Sequence, residues 1–299
     1  MTLREVGEER LLAKIIPQLS RNRHVITAAG DDCAVMKFRE AKDFLLLKSD
    51  CVVEHVHFAA DAKPPAVGWK AMMRTMSDFA AMSGIPQFAV ITLAIDGKKK
   101  LSWVSELYRG LNRAATRFNV AIVGGETSAT RGPTIVAVGA TGYVERDRCV
   151  RRNGGKPGDD LFVSGRLGGS RRGRHLNFVP RIDEARWLTS HFDIHAMIDL
   201  SDGLGADLPR LARASKLGFT VNQSVLPLSR GCSAEQAISE GEDYELLFAI
   251  STRDRMSLAK GWARKFPKVT LTRIGQLTRK SELGNEKFPA GYVHFRQRR

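Results

Sequence analysis

The sequence predicts a mixed α/β chain, layered as α+β, built of two units. Strand-length apolar segments alternate with amphipathic helical segments, a polar glycine-rich stretch interrupts the alternation near the middle, and 299 residues, 43% of them hydrophobic, suit one large or two medium cores. Two units are favoured, 1–145 and 146–299.

Residues 6–19 read as an amphipathic helix, with Leu11, Leu12, Ile15 and Ile16 near helical spacing and Pro17 close to its end. Residues 44–49 form a buried strand. Pro65 opens a helix over 66–82, where Met72, Met76 and Phe79 repeat at i, i+4 and i+7. A strand over 88–94, a helix over 101–118 and a strand over 120–123 follow, the last ending at Gly124-Gly125; a further strand spans 134–144. Residues 146–159 carry Gly154, Gly155, Pro157 and Gly158 and mark the boundary. Beyond it come a strand at 160–164, a basic glycine-containing stretch at 165–174, and a helix from Asp202 or Gly203 to 215. The chain closes with a strand at 245–250, a helix at 253–266, a strand at 269–274 and a basic tail.

No apolar run reaches the roughly 18–20 residues of a membrane span: Lys48 and Asp50 end the run from Phe44, and Asp96 ends the run from Phe88. Glu5, Glu8 and Glu9 break the basic-then-apolar order of a secretory signal, so a soluble cytoplasmic protein is expected. Cys33, Cys51, Cys149 and Cys232 form no C-x-x-C pair and read as reduced structural thiols. The net charge of +15 suits a polyanion and keeps nucleic-acid binding as a rival reading. Few aromatic residues interleave with the basic ones, however, and a solvated basic surface accounts for them.

In so basic a chain, the carboxylates that interrupt apolar segments carry the information, because a buried carboxylate must be paired or metal-bound. They stand at Gly30-Asp31-Asp32, Ser49-Asp50, Ser77-Asp78, Gly124-Gly125-Glu126-Thr127 and Ile198-Asp199-Leu200-Ser201-Asp202-Gly203. Each alone has an ordinary explanation: Asp202 can cap a helix and Asp31-Asp32 can sit in a turn. Together they point to a shared cleft where divalent cations offset the repulsion, and hard oxygen donors select magnesium or manganese. The P-loop signature G-x-x-x-x-G-K-[ST] is absent, so phosphates would be held by metal ions, by the Gly124-Gly125 backbone and by a cation such as Arg152.

On these residues the chain resembles the thiamine-monophosphate kinase family, within the group that includes aminoimidazole ribonucleotide synthetase and selenophosphate synthetase. The matching strings run nearly end to end: Gly7-Glu8, Gly30-Asp31-Asp32, Ser49-Asp50 through His57-Phe58, Gly68-Trp69-Lys70, Ser77-Asp78-Phe79-Ala80-Ala81-Met82, Gly124-Gly125-Glu126-Thr127, Arg152 with Gly158-Asp159, Asp199-Leu200-Ser201-Asp202-Gly203-Leu204, Gly241-Glu242-Asp243-Tyr244-Glu245-Leu246, and Gly291-Tyr292.

The resemblance implies a two-domain PurM-like fold, a homodimer, and ATP-dependent phosphorylation of thiamine monophosphate to thiamine diphosphate by direct in-line transfer. Magnesium ligands would be Asp31, Ser49, Asp50, Asp78, Glu126, Asp199 and Asp202, with Asp50, Asp78 and Asp202 catalytic. Gly125, Glu126, Arg152 and Ser201 would meet ATP; His57, Glu242, Asp243 and Tyr292 would meet the substrate. In a strand, His55 and His57 would share a face opposite Val56 and Phe58, and Tyr292 would offer a ring for stacking. No membrane or nucleic-acid partner is implied. The chain departs from the family pattern at Glu126, where aspartate is usual, in a short and basic segment over 169–180, and at Val293. A related synthetase acting on a ribonucleotide or selenide is the enzymatic alternative, although no reactive cysteine stands in a glycine-rich N-terminal loop.

Overall fold

The computed structural model describes residues 8–18, 23–27, 30–37, 42–279 and 288–292. The ends of the expected first helix at Val6 and Leu19, Gly7, Val293 and the basic tail lie outside the described residues.

The first half holds α1 (Glu8–Ile15), β1 (Val25–Thr27), β2 (Ala34–Lys37), β3 (Asp43–Val53), α2 (Pro64–Ala81), β4 (Ile85–Ile95), α3 (Leu101–Arg117), β5 (Ala121–Ala129) and β6 (Ile135–Glu145). Its strands form a six-stranded sheet in the order β1-β2-β3-β6-β4-β5. All neighbours are antiparallel except β4 and β5, whose parallel pairing requires a crossover, and α3 supplies it. Burial alternates along β3, β4 and β6, so Leu46, Val52, Ala89, Ile91, Val136 and Val138 face inward. On the outer face Leu47, Phe88 and Val90 remain exposed.

Residues 146–159 carry no helix or strand. Beyond them lie β7 (Asp160–Ser164), α4 (Ile182–His191), β8 (Ile194–Asp199), α5 (Leu204–Ala214), β9 (Gly218–Val221), α6 (Ala234–Ser239), β10 (Leu246–Ile250), α7 (Arg255–Lys265) and β11 (Leu271–Thr278). The five strands pair antiparallel in the order β8-β10-β7-β11-β9. Strands β7 and β10 are buried along their whole length, which is why they read as unbroken apolar runs. Phe162, Met197 and Phe248 belong to the core that also holds Met72, Met76 and Phe79 of α2. Leu161, Val163, Ile198 and Leu247 instead pack with Leu204 and Leu208 of α5 and Ile238 of α6.

Helix α2 is central. It touches β3 and β6 on one side and α4 and β8 on the other, and most of its residues from Val67 onward are buried. Its crossing with α3 is close because glycine stands on both helices. A Cβ on Gly68 would lie 2.2 Å from the Leu107 carbonyl oxygen, and one on Gly110 would lie 2.0 Å from that of Pro65.

Some elements differ from expectation. Strand β5 continues through Gly124-Gly125 rather than stopping there, because Gly125 admits close pairing: a Cβ on it would fall 1.9 Å from the Ile91 carbonyl oxygen. Strand β3 runs past Ser49 to Val53, and β11 extends to Thr278. The strands β1, β2, β8 and β9 and the helices α4 and α6 have no counterpart among the expected elements; the three or four residues of β1, β2 and β9 offer too little pattern to detect a strand. Among the described residues no helix is long and apolar enough to cross a membrane.

Since the α2–α3 crossing leaves no room for a methyl group, Gly110→Ala should lower unfolding free energy by about 1–3 kcal/mol in chemical denaturation. Gly97→Ala, where a Cβ meets nothing within 4 Å, should leave it within about 0.5 kcal/mol.

Candidate active site

Within the apolar length of α2, Lys70, Arg74, Ser77 and Asp78 recur at i, i+4, i+7 and i+8 and form one polar stripe. Lys70 Nζ donates to Glu242 Oε1 at 2.7 Å and to the His57 carbonyl at 2.5 Å. Ser77 Oγ donates to Asp199 Oδ2 at 2.6 Å. Asp78 accepts from Lys48 Nζ at 2.7 Å, and the same ammonium lies 3.6 Å from Asp50. The two-residue period of β3 puts Lys48 and Asp50 on the side facing the helix.

Asp32, Asp78 and Asp199 converge, each offering a carboxylate oxygen within 4.8 Å of the others, and all are buried. Asp32 also takes the fork of Arg152, from Nε at 3.0 Å and Nη2 at 2.8 Å. Asp31 accepts the backbone N–H of Asp32 at 2.9 Å and that of Arg152 at 3.3 Å. Burial, then the charge of Asp32, pushes Asp199 up to about 7 and Asp31 up to about 6. Burial also raises Asp78 well above the usual carboxylate range, against the pull of Lys48. Burial would raise Asp50 too, but Lys48 and Arg74 outweigh it and hold that group low. Carboxylates held this close resist ionising together, and a divalent cation among them removes the conflict. The all-oxygen donor set fits magnesium or manganese.

Two residues beyond Asp199, the chain enters a narrow cleft of about 10 Å³ lined by His57, Arg74, Ser201, Asp202, Glu242 and Tyr292, with Arg171, Gly241 and Tyr244 completing the wall. His57 does not lie in a strand. Residues 55–57 form a turn, with His55 at φ 67°, so strand alternation does not govern which way His57 faces. Its Nδ1 accepts the Val53 N–H at 3.0 Å, which fixes the ring.

The 241–245 loop is strained, with Glu242 at φ 68° and Tyr244 at φ 52°, each costing roughly 1–2 kcal/mol in a residue with a Cβ. Backbone bonds from Glu242 N–H to Ser201 at 2.7 Å and from Tyr244 N–H to Leu200 at 2.8 Å hold it against the end of β8. Asp202 accepts from Arg210 at 2.6 Å, and its carbonyl accepts the Tyr292 N–H at 2.8 Å. Asp202 does not cap α5; Gly203 occupies the cap position without a side-chain bond.

Several expected site residues stand elsewhere. Asp243 accepts from Gly168 N–H at 3.1 Å and Arg174 at 2.5 Å, and burial lifts it to about 7; it anchors the basic segment instead of lining the cleft. Ser49 is exposed on the outer face of β3, one residue out of phase with Lys48 and Asp50. Gly125 and Glu126 are exposed on the edge strand β5, where Glu126 accepts from Ser128 Oγ at 3.3 Å. Asp32 stands in the Gly30-Asp31-Asp32 motif but not among the expected ligands, and Lys48, Lys70, Arg74 and Arg210 carry no expected site role. Signals for some of them existed: Lys48 lies one strand period from Asp50, and the helical spacing from Lys70 to Asp78 marks a polar face on an apolar helix.

Residues 30–144 match the AIR synthase related protein, N-terminal domain, and residues 136–284 match the AIR synthase related protein, C-terminal domain. The thiamine-monophosphate kinase of Rhodopirellula baltica is 32% identical, covering 96% of this chain and 97% of that one. That of Aquifex aeolicus is 32% identical over 99% of this chain and all of its own. A solved structure described as AaThiL complexed with AMPPCP and TMP superposes with a TM-score of 0.84 at 31% identity, covering 98% of this chain and 99% of that chain. With the two-domain fold and near full-length similarity in agreement, the chain belongs to the thiamine-monophosphate kinase family of AIR synthase related proteins.

Proposed function

We propose that this protein transfers the γ-phosphoryl group of ATP directly, in line, to the phosphate of thiamine monophosphate, giving thiamine diphosphate. The observation that carries the reading is the junction at the end of β8, where Asp199 belongs to the carboxylate cluster while Ser201 and Asp202 line the cleft with His57, Glu242 and Tyr292. A polyphosphate site and an organic-ligand site thus meet within one turn of chain. Full-length similarity to the named kinases, and to a structure described with an ATP analogue and TMP, supports the same assignment.

Asp31, Asp32, Asp50, Asp78, Asp199 and Asp202 are the proposed magnesium ligands, while Ser49 and Glu126 face the other side of the sheet. Bound magnesium would neutralise the repulsion between two anionic substrates and stabilise charge on the group in flight. The acceptor oxygen is already ionised near neutral pH, so no strong general base is required of the protein. Lys48 and Arg152 hold the carboxylates in place, Arg210 orients Asp202, and the Lys70–Glu242 pair fixes one wall of the cleft to α2. Ser201 and Arg152 are the proposed ATP contacts, with Gly125 and Glu126 nearer the sheet edge. His57, Glu242 and Tyr292 are the proposed contacts for the thiamine moiety. The proposed domains are 1–145, bearing most metal ligands, and 146–299.

We also propose a homodimer formed through the outer face of the first sheet, where Leu47, Phe88, Val90 and Val123 form an exposed apolar surface. Light scattering after size exclusion should give twice the chain mass, and Val90→Asp should shift it to the monomer; a monomeric parent protein would contradict this.

Incubation with Mg-ATP and thiamine monophosphate should yield thiamine diphosphate, and Asp199→Asn should reduce the rate at least about a hundredfold, as expected when a charge-stabilising group is lost. No product above blank, with magnesium and manganese both tried, would refute the reading. Asp199 and Asp31 titrate higher folded than the ordinary carboxylate value of 3.8, so the folded state holds extra protons between the two values. Metal-free protein should therefore lose stability as pH rises from about 4 to about 7, and magnesium should restore it most at the upper end. Thermal melts in chelator and in magnesium across this range check the sign.

A further inference from the structure

The cationic side chains around the site are committed to hydrogen-bonded partners except Arg74 and Arg171, and Arg171 lies over the Tyr292 ring at 5.1 Å. Lys48 is bound to Asp78, Lys70 to Glu242 and the His57 carbonyl, Arg152 to Asp32, and Arg210 to Asp202 and Asp207. Arg74 makes no hydrogen bond among the described residues. Its ion pair with Asp50 spans 3.8 Å, beyond hydrogen-bond reach, and its side chain is only 16% exposed. A guanidinium has five N–H donors in a rigid fork and stays charged throughout the working pH range. No Arg74 nitrogen is among the buried atoms left without a partner, so its donors reach the narrow cleft that Arg74 lines.

Its place on α2 is between the two parts of the site. Asp78, one helical turn along, and Asp50 belong to the carboxylate network, while His57, Glu242 and Tyr292 stand with Arg74 in the cleft wall. A ligand with its organic part against His57, Glu242 and Tyr292 and an anionic end toward the carboxylates would bring that end to the Arg74 fork. Phosphate oxygens match such a fork in spacing and charge.

We propose that Arg74 binds the phosphate group of the acceptor, a phosphate monoester, and thereby sets the preference for a phosphorylated over an unphosphorylated acceptor. The inference rests on the kinase reading and adds to it the residue that recognises the acceptor's phosphate. Arg74 acts by positioning; the bond that forms joins the acceptor oxygen to the γ-phosphorus of ATP, and the one that breaks releases ADP.

The test compares calorimetric affinities of the full chain, in magnesium without ATP, for thiamine monophosphate and for thiamine. The parent protein should prefer the monophosphate. Arg74→Met should cut that preference roughly ten- to a hundredfold while changing thiamine affinity less than about threefold, the loss expected for charged hydrogen bonds. Arg74→Lys should recover part of the preference, and KM for ATP should stay within about threefold in both variants. An unchanged preference, or an equal loss for both ligands as a purely structural role would give, overturns the proposal. If Arg74→Met does not fold by circular dichroism, Arg74→Lys decides: a reduced preference supports the assignment and an unchanged one overturns it. A parent protein that binds neither ligand refutes the kinase reading and this inference with it. A parent protein that prefers the monophosphate beside a variant that does so equally refutes only the role of Arg74.

Discussion

The buried polar stripe of α2 is the constraint on which the rest of the site depends. A charge inside a helix covered on both sides must find a partner there, because solvent cannot reach it. Lys70 finds Glu242, Ser77 finds Asp199, and Asp78 finds Lys48. Two of these partners come from the second half of the chain, so satisfying the stripe fixes how β8 and the 241–245 loop sit against the first sheet. The apolar core runs through the same contact, with Met72, Met76 and Phe79 in one cluster with Met197 and Phe248. Hydrophobic burial brings the halves together, and the polar pairs select the register in which they meet.

That register has an electrostatic consequence. The carboxylates do not form a uniformly acidic cage; Lys48, Arg74, Arg152 and Arg210 are interleaved with them. Asp199 differs, since the hydroxyl of Ser77 is its described hydrogen-bond partner and burial has lifted it to about 7. The site therefore combines carboxylates that are already charge-balanced with one group whose ionisation gains most from a bound cation. The strained Glu242 and Tyr244 backbone fits the same pattern, being held open by bonds to the end of β8 rather than by local preference.

The basic segment around residues 165–176 is also tied to the site by pairing. Asp243 holds Gly168 and Arg174, and Arg171 lies over the Tyr292 ring at 5.1 Å. Part of the chain's excess positive charge is thus committed to internal acids and an aromatic face. The short stretch after Gly169 is ordered into two turns of 3-10 helix, Ser170–Arg172 and Arg174–Leu176, rather than left as an open loop.

The sequence by itself determined the strongly periodic elements, notably α2, α3, β4 and β7, because burial on a helix face or a covered strand imposes a local repeat that survives in one dimension. It also marked Asp31, Asp50, Asp78, Asp199 and Asp202, since carboxylates set among apolar residues are anomalies wherever they occur. Tertiary structure alone decided which of these meet. Asp32 rather than Asp31 joins Asp78 and Asp199, Ser49 falls on the far side of β3 by a single step of the pleat, Asp243 turns inward to the basic segment, and His57 reaches the cleft from a turn. Convergence depends on strand pairing and helix packing between residues as distant in sequence as Asp32 and Asp199, and no local pattern encodes that distance.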